Sequence, residues 1–446
     1  MITDIYSAVE CAVVVNGEQS EWFASLVGLR QGCVLSPILF AIFIDSMARN
    51  IRERNLGVEV MNKRIGALLI ADDLALVASS GSQLQKMLDV VSQCSKELRF
   101  SFNNDKSGVM VFGKSKERTW SLGGKDLNIV KSYKYLGIML DGLLAWKPHK
   151  QRTLTKANQT SNQVFGVLRR TDSMSARAAI QLYKALVLPV LEYGAEIWGN
   201  CEWEEAEKLQ RAVARRILGA KQGTSNAFLM GELGWWPLSA RRDLLRLRFW
   251  WKLVNMQQSR GVRQVYDYCR AKFELSLGAG RDLGKLRKQS MNWCEYTFSL
   301  LKELNMEEIW WTGKPGGADE WNARVYSKIQ EREERKWRRL MMNNVKLELY
   351  RQVKNKLKLE LYLLDERSRP GRIEFGRYRS GSCSLRVDQG REEGLARERR
   401  VCMLCIEDVE HVMVVCPGMI MKGICCGKLL SRLVVSRCHY ARIKSK

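Results

Sequence analysis

Long apolar runs are missing from this 446-residue chain. None approaches the roughly 18–20 residues that a membrane-spanning helix requires. The opening MITDIYSAVECAVVVNG has only a short apolar stretch, carries Asp4 and Glu10, and lacks a basic leader segment. Neither a transmembrane anchor, nor a secretory peptide, nor a membrane partner is expected. A paired cysteine framework is missing too. The 13 cysteines are odd in number and scattered, which argues against a disulfide scaffold. Reduced thiols suit the nucleus and/or cytoplasm. Histidine is scarce, with 3 in the chain, and no internal repeat is present.

The largest deficit is in carboxylates. Only 48 Asp and Glu face 73 Lys and Arg, a formal net charge of +25. Such a surface attracts polyanions, nucleic acid more often than an acidic membrane. The hydrophobic share of 46% and charged share of 27% fit a soluble chain with a sizeable core. The length suggests roughly three domains.

Along the chain, residues 1–27 read as a short helix followed by a hairpin, since AVVVNGEQSEWFASL has two strand-like runs about an Asn-Gly turn. Ser36 followed by Pro37 predicts a helix start, with Ser36 as the side-chain cap. The helix to about Arg52 is apolar on most sides and is expected to be buried. LLIADDLALVA (68–78) reads as two strands joined at Asp72 and Asp73. Residues 82–99 form an amphipathic helix, with Leu84, Met87, Leu88, Val91 and Leu98 at helical spacing. Strands are expected at 100–113 and 134–140, giving an α+β sheet with helices on one face. From 148 to about 365 nearly everything reads as helix. Residues 366–400, rich in Arg, Gly, Ser and Glu, look like a solvated connector before a cysteine-bearing module from 401.

Adjacent carboxylates in an apolar run need a reason, because unpartnered buried charges are costly. An exposed turn between strands is one resolution. A divalent cation is the other, since Mg²⁺ takes oxygen ligands and neutralises paired carboxylates. Alone, the motif leaves both open.

The neighbours form an ordered series: GLRQGCVLSPILF about 35 residues earlier, FNNDKSGVMVFG about 30 residues later, then YKYLGIMLD, LYKALVLPVLEYGAEIWG and ILGAKQGTSNAFLMGELGWWPL. This series resembles the reverse transcriptases of non-LTR (LINE-type) retrotransposons, over residues 1 to about 250 and again in the C-terminal module. The resemblance implies a partial right-hand palm over 1–145, a helical thumb over 146–260, a helical extension over 261–365, a flexible basic connector over 366–400 and a zinc module over 401–446. It implies that Asp72 and Asp73 ligate Mg²⁺ for a two-metal nucleotidyl transfer. Arg30, Gln31 and Gly32 are implied beside the template and incoming dNTP, Lys106 near the triphosphate, and Tyr135, Leu136 and Gly137 in the primer grip. Taken singly, Gly32 reads equally as a turn glycine, Lys106 as a surface lysine, and Tyr135 and Leu136 as strand core.

Two features depart from the family pattern. Ile70 stands where an aromatic is usual. The family's earlier strand with a further metal-binding aspartate has no counterpart before Gly28, and neither Asp4 nor Asp45 matches it. On that reading the isolated chain does not polymerise.

At the C-terminus, Cys402, Cys405, His411 and Cys416 read C-x2-C-x5-H-x4-C. Four such ligands suit tetrahedral Zn²⁺, with a reduced cysteine cluster as the competing reading. The spacer is short for the family, and Cys425, Cys426, Cys438 and His439 are candidate substitutes. RLRFWWKL (246–253) and REERKWRRL (332–340) interleave basic and aromatic residues. They fit either phosphate contact with base stacking or solvated helix faces. The expected function is thus an RNA-directed DNA polymerase fragment that binds RNA and DNA. The alternative is a host-retained, noncatalytic nucleic-acid-binding protein derived from one.

Overall fold

The computed structural model describes residues 9–25, 28–30, 32–61, 63–113, 119–170, 175–364, 369–382 and 393–395. Gln31 and the zinc candidates Cys402, Cys405, His411 and Cys416 lie outside the described residues, as do their four candidate substitutes and the helix expected in residues 1–8. The chain forms two units, one from Met1–His149 with Asn255–Arg281, the other from Lys150–Val254 with Asp282–Lys446. No helix among the described residues is long and apolar enough to cross a membrane.

The first unit is α+β. Its core joins Met47 and Ile51, from the helix Ser36–Glu53, to Met87, Leu88, Val91 and Cys94 from the helix Gly81–Glu97. Val109, Trp120 and Leu122 close it from the strand side. The second helix starts as its sequence directs: Ser80 caps it by accepting from the Gln83 N–H at 3.2 Å. The described strands pair two at a time rather than in one sheet. Val14–Val15 and Glu18–Gln19 pair about Asn16 and Gly17, both at positive φ. The Asn-Gly hairpin expected there is present.

Four expectations are corrected. Ser36 is the first residue of its helix rather than its cap, and its hydroxyl donates back to the Arg30 carbonyl at 2.7 Å. That helix is buried along one stripe only, for Ile38 is 60% and Ile42 68% exposed. Apolar composition set the burial expectation, but no described element packs on that face. Residues 134–140 are not one strand but the middle of a hairpin, Ser132–Tyr135 with Ile138–Asp141. Likewise 100–113 holds a single turn, Asn104–Lys106, and a two-residue strand, Gly108–Val109.

The second unit is helical. Trp250 of the helix Leu238–Val254 packs within 5.3 Å of Trp321 from the helix Ala318–Met342, ring centre to ring centre. The helical regions expected on either side of residue 260 therefore share a core, while residues 255–281 belong with the first unit. Beneath the tryptophans, Arg332 donates to Asp243 at 2.8 Å and to Glu333 at 2.7 Å, and the Tyr296 hydroxyl donates to Asp243 at 2.7 Å. Burial opposes the charge on Arg332, but the Asp243 and Glu333 carboxylates outweigh it and raise its pKa. Gly234 ends the helix Asn226–Leu233 at φ +62, and any Cβ there would meet the Leu359 nitrogen.

Part of the expected connector is ordered. Arg369–Arg379 is a helix, and Arg379 reaches the fully buried Glu232 at 2.9 Å. The basic and aromatic runs are only partly core. In RLRFWWKL, Arg246, Leu247, Trp250 and Leu253 are buried while Arg248 and Lys252 are exposed. Arg246 lies 5.3 Å from the Trp293 ring and 5.1 Å from that of Tyr296, and burial lowers its pKa to about 10. In REERKWRRL, Arg332 and Trp337 point inward and Arg335, Arg338 and Arg339 are exposed.

Candidate functional site

The strands Ala67–Ile70 and Asp73–Leu76 pair in register, Ile70 opposite Asp73, so that Ala71 and Asp72 make the whole turn. The turn is tight enough to hold Ala71 at φ +50. A residue with a Cβ pays about 1–2 kcal/mol to sit there, and such strain collects at functional positions. Asp72 and Asp73 are both exposed. The turn reading of this motif is correct as geometry, and it presents two carboxylates at an apolar hairpin's tip.

That hairpin borders a cleft of about 820 Å³. Leu69 and Ala71 supply one wall, and Arg30, Gly32, Cys33 and Phe40 another. The fold thereby brings the RQG loop to the aspartate hairpin. Gly32 takes φ +84 with open space where a Cβ would project, so its backbone rather than crowding favours glycine. The loop is tied to the helix start: the Arg30 carbonyl accepts from the Ser36 hydroxyl at 2.7 Å and from the Cys33 N–H at 3.3 Å. Asp45 also lines the cleft and pairs with Arg49 at 3.0 Å.

Lys106 is exposed, and its N–H donates to the Asn103 side chain at 3.2 Å. Tyr135, Leu136 and Gly137 sit at the tip of their hairpin. Leu136 and Gly137 both take positive φ, +46 and +83, the signature of a type I′ turn. Burial, then the negative charge of Asp73, raises the pKa of Tyr135. Sequence reasoning passed over Tyr133, whose hydroxyl donates to the Lys106 carbonyl at 2.7 Å. Its spacing of two from Tyr135 was the available signal. It passed over His149 as well, one of the 3 histidines. His149 is buried and accepts the Met139 N–H on Nδ1 at 3.2 Å.

Two adjacent carboxylates beside an open cleft fit Mg²⁺, which binds through one or two carboxylates and completes its shell with water and phosphate. Among the described residues no group of three or more His, Cys, Asp or Glu is placed to hold a metal.

Residues 1–140 match the family described as reverse transcriptase (RNA-dependent DNA polymerase). The chain is 29% identical over 222 residues to the RNA-directed DNA polymerase from mobile element jockey of Drosophila melanogaster, covering 47% of this chain and 24% of that protein. It is 26% identical over 251 residues to the Pol polyprotein from the type-1 retrotransposable element R2 of Popillia japonica, covering 52% and 38%. A third relative, the Pol polyprotein from the type-2 element R2DM of Drosophila melanogaster, is 29% identical over 256 residues, covering 52% and 23%. The chain thus spans well under half the length of each of these relatives.

Proposed function

Through residues 1–140 the chain belongs to the reverse transcriptases, of the non-LTR retrotransposon kind, and on that premise we propose that its first unit carries the nucleotide end of an RNA-directed DNA polymerase site. The observation that carries this reading is the single cleft shared by the RQG loop and the aspartate hairpin. In this reading the cleft takes an incoming dNTP against Arg30, Gln31 and Gly32. The Arg30 guanidinium faces phosphate, and the left-handed backbone at Gly32 lets the chain approach the base pair closely.

Reverse transcriptases as a family use Mg²⁺, and Asp72 and Asp73 are the residues that would hold it here. Bound there, the metal supplies charge neutralisation and Lewis acidity at the reacting oxygens. The strained turn at Ala71 keeps both carboxylates outside the apolar core, in reach of phosphate. Lys106 offers a proton and a positive charge to the triphosphate. The tip Tyr135, Leu136 and Gly137 steadies the primer end. RNA and DNA are the polymeric partners, attracted by the net charge of +25. Cys402, Cys405, His411 and Cys416 are proposed to hold one Zn²⁺ in a nucleic-acid-binding knuckle.

The test is ultraviolet cross-linking of radiolabelled dTTP to the whole chain, followed by peptide mapping. Mg²⁺-dependent label on the peptide spanning residues 28–45, lost in Asp72→Asn/Asp73→Asn, is the expected result. Equal labelling of wild type and variant, or label confined to other peptides, refutes the assignment.

A further inference from the structure

Asp73, Lys106 and the Leu136–Gly137 turn come from three separate turns of the chain. Nothing in their local sequence sets their spacing, so other contacts must. One such contact is a closed loop of backbone. The turn Asn104–Lys106 leads directly into Gly108–Val109, which pairs in parallel with Asn128–Ile129. The Val130 N–H donates to the Val109 carbonyl at 2.9 Å, and the Gly142 N–H to the Lys131 carbonyl at 2.9 Å. Between these two bonds the hairpin Ser132–Tyr135/Ile138–Asp141 rises.

Side chains alternate along a strand, so Tyr133 and Tyr135 share one face of this hairpin, with Lys134 on the other. The two tyrosines differ in what they touch. The Tyr133 hydroxyl closes the loop by donating to the Lys106 carbonyl at 2.7 Å, across 27 residues of chain. Its bond goes to the backbone that carries the lysine, leaving the Lys106 side chain exposed. Tyr135, two residues nearer the tip, has its hydroxyl oxygen buried with no hydrogen-bond partner among the described residues.

We infer that Tyr133 is a positioning residue of the candidate site, fixing the Lys106 turn against the hairpin that carries Leu136 and Gly137. The inference rests on the assignment of Lys106 under the proposed function. Replacing Tyr133 by phenylalanine keeps the ring and removes only the hydroxyl, so packing and positioning can be separated.

The experiment uses the whole chain and one probe, Mn²⁺ with dTTP. Lys106 is read by acetylation and mass spectrometry, with and without nucleotide. Nucleotide should shield Lys106 in wild type. Tyr133→Phe should lose most of that shielding at an unchanged melting temperature, with the reactivity of Lys106 in the absence of nucleotide unchanged. If dTTP fails to shield Lys106 in wild type, the site assignment itself falls. If wild type is shielded and Tyr133→Phe keeps its shielding, the positioning role of Tyr133 is overturned and the assignment stands.

Discussion

Arg332→Met should be among the most damaging single substitutions in the helical unit, and its cost follows from what it strands. The guanidinium donates to Asp243 at 2.8 Å, to Glu333 at 2.7 Å and to Glu303 at 3.4 Å. Asp243 and Glu333 are 3% and 4% exposed. Without Arg332, Asp243 keeps the Tyr296 hydroxyl, and Glu333 keeps Lys336 at 3.4 Å. Removing one partner of a buried ion pair costs about 3–5 kcal/mol, because the desolvated charge left behind is uncompensated. Methionine fills similar volume, so a cavity contributes little. Urea unfolding followed by tryptophan fluorescence is a suitable assay. Of the 14 tryptophans only Trp22, Trp120 and Trp146 belong to the first unit, so the signal reports the second. The midpoint should fall while the slope, set by exposed surface, stays the same. Adding Asp243→Asn to Arg332→Met should recover part of the loss, since a neutral amide needs no counter-charge. A loss below about 1 kcal/mol, the level of an exposed pair, or an Asp243→Asn effect that adds to the damage, would refute the reasoning.

Burial lowers the pKa of His149. The unfolded chain therefore takes the proton first. The stabilisation is present above the unfolded value of about 6.5 and is lost as pH falls from there toward the depressed folded value. Melts between about pH 5 and 8 should lose that slope in His149→Asn, whose side-chain oxygen can replace Nδ1 at the Met139 N–H; an unchanged slope would acquit His149. Ala71→Val, which forces a β-branched residue into the left-handed region, should destabilise the first unit by about 1–3 kcal/mol in denaturant, while Ala71→Gly should be neutral or better. Equal midpoints for all three would mean the backbone is not held at that φ. Binding to RNA and DNA, followed by anisotropy, should weaken steeply with salt and tolerate changes of sequence; a flat salt dependence counts against the electrostatic account. His411→Ala should lower zinc content by elemental analysis relative to wild type, and affinity should fall at acid pH as thiolates regain protons. Equal metal content in both would leave these cysteines as ordinary thiols.

What could be read from the sequence was what neighbouring residues decide. The Asn16-Gly17 hairpin and the aspartate turn are local, and both stand where expected. The I′ turn at Leu136–Gly137 was missed because leucine at φ +46 is not a turn residue by propensity, and the register of the two strands imposes it. RLRFWWKL looked suited to nucleic acid because its charges have no local partners. For Arg246 the partner is distant, the Ile197 carbonyl 49 residues away, while Arg248 and Lys252 stay exposed. Ser36 is not the cap because it is already the first helical residue, with Leu35 at the cap position, and its hydroxyl turns back to the Arg30 carbonyl. The joining of the RQG loop to the aspartates was legible only through family resemblance, as no pattern within either segment points to the other.

The first unit is discontinuous, and this has a consequence in time. The helix Gly261–Gly278 packs against the strand Val58–Val60 and buries Tyr266 and Phe273. A growing chain that has just finished His149 has made the hairpins and both core helices of that unit, yet lacks its final piece until Arg281 emerges, roughly 130 residues later. At ribosomal speeds of about 5–20 residues per second, that is a wait on the order of ten seconds. Throughout it, the strand Val58–Val60 has no helix to cover it. The α+β unit begins folding first and finishes late, and any shortened version that stops before the helix Gly261–Gly278 leaves that strand without it permanently.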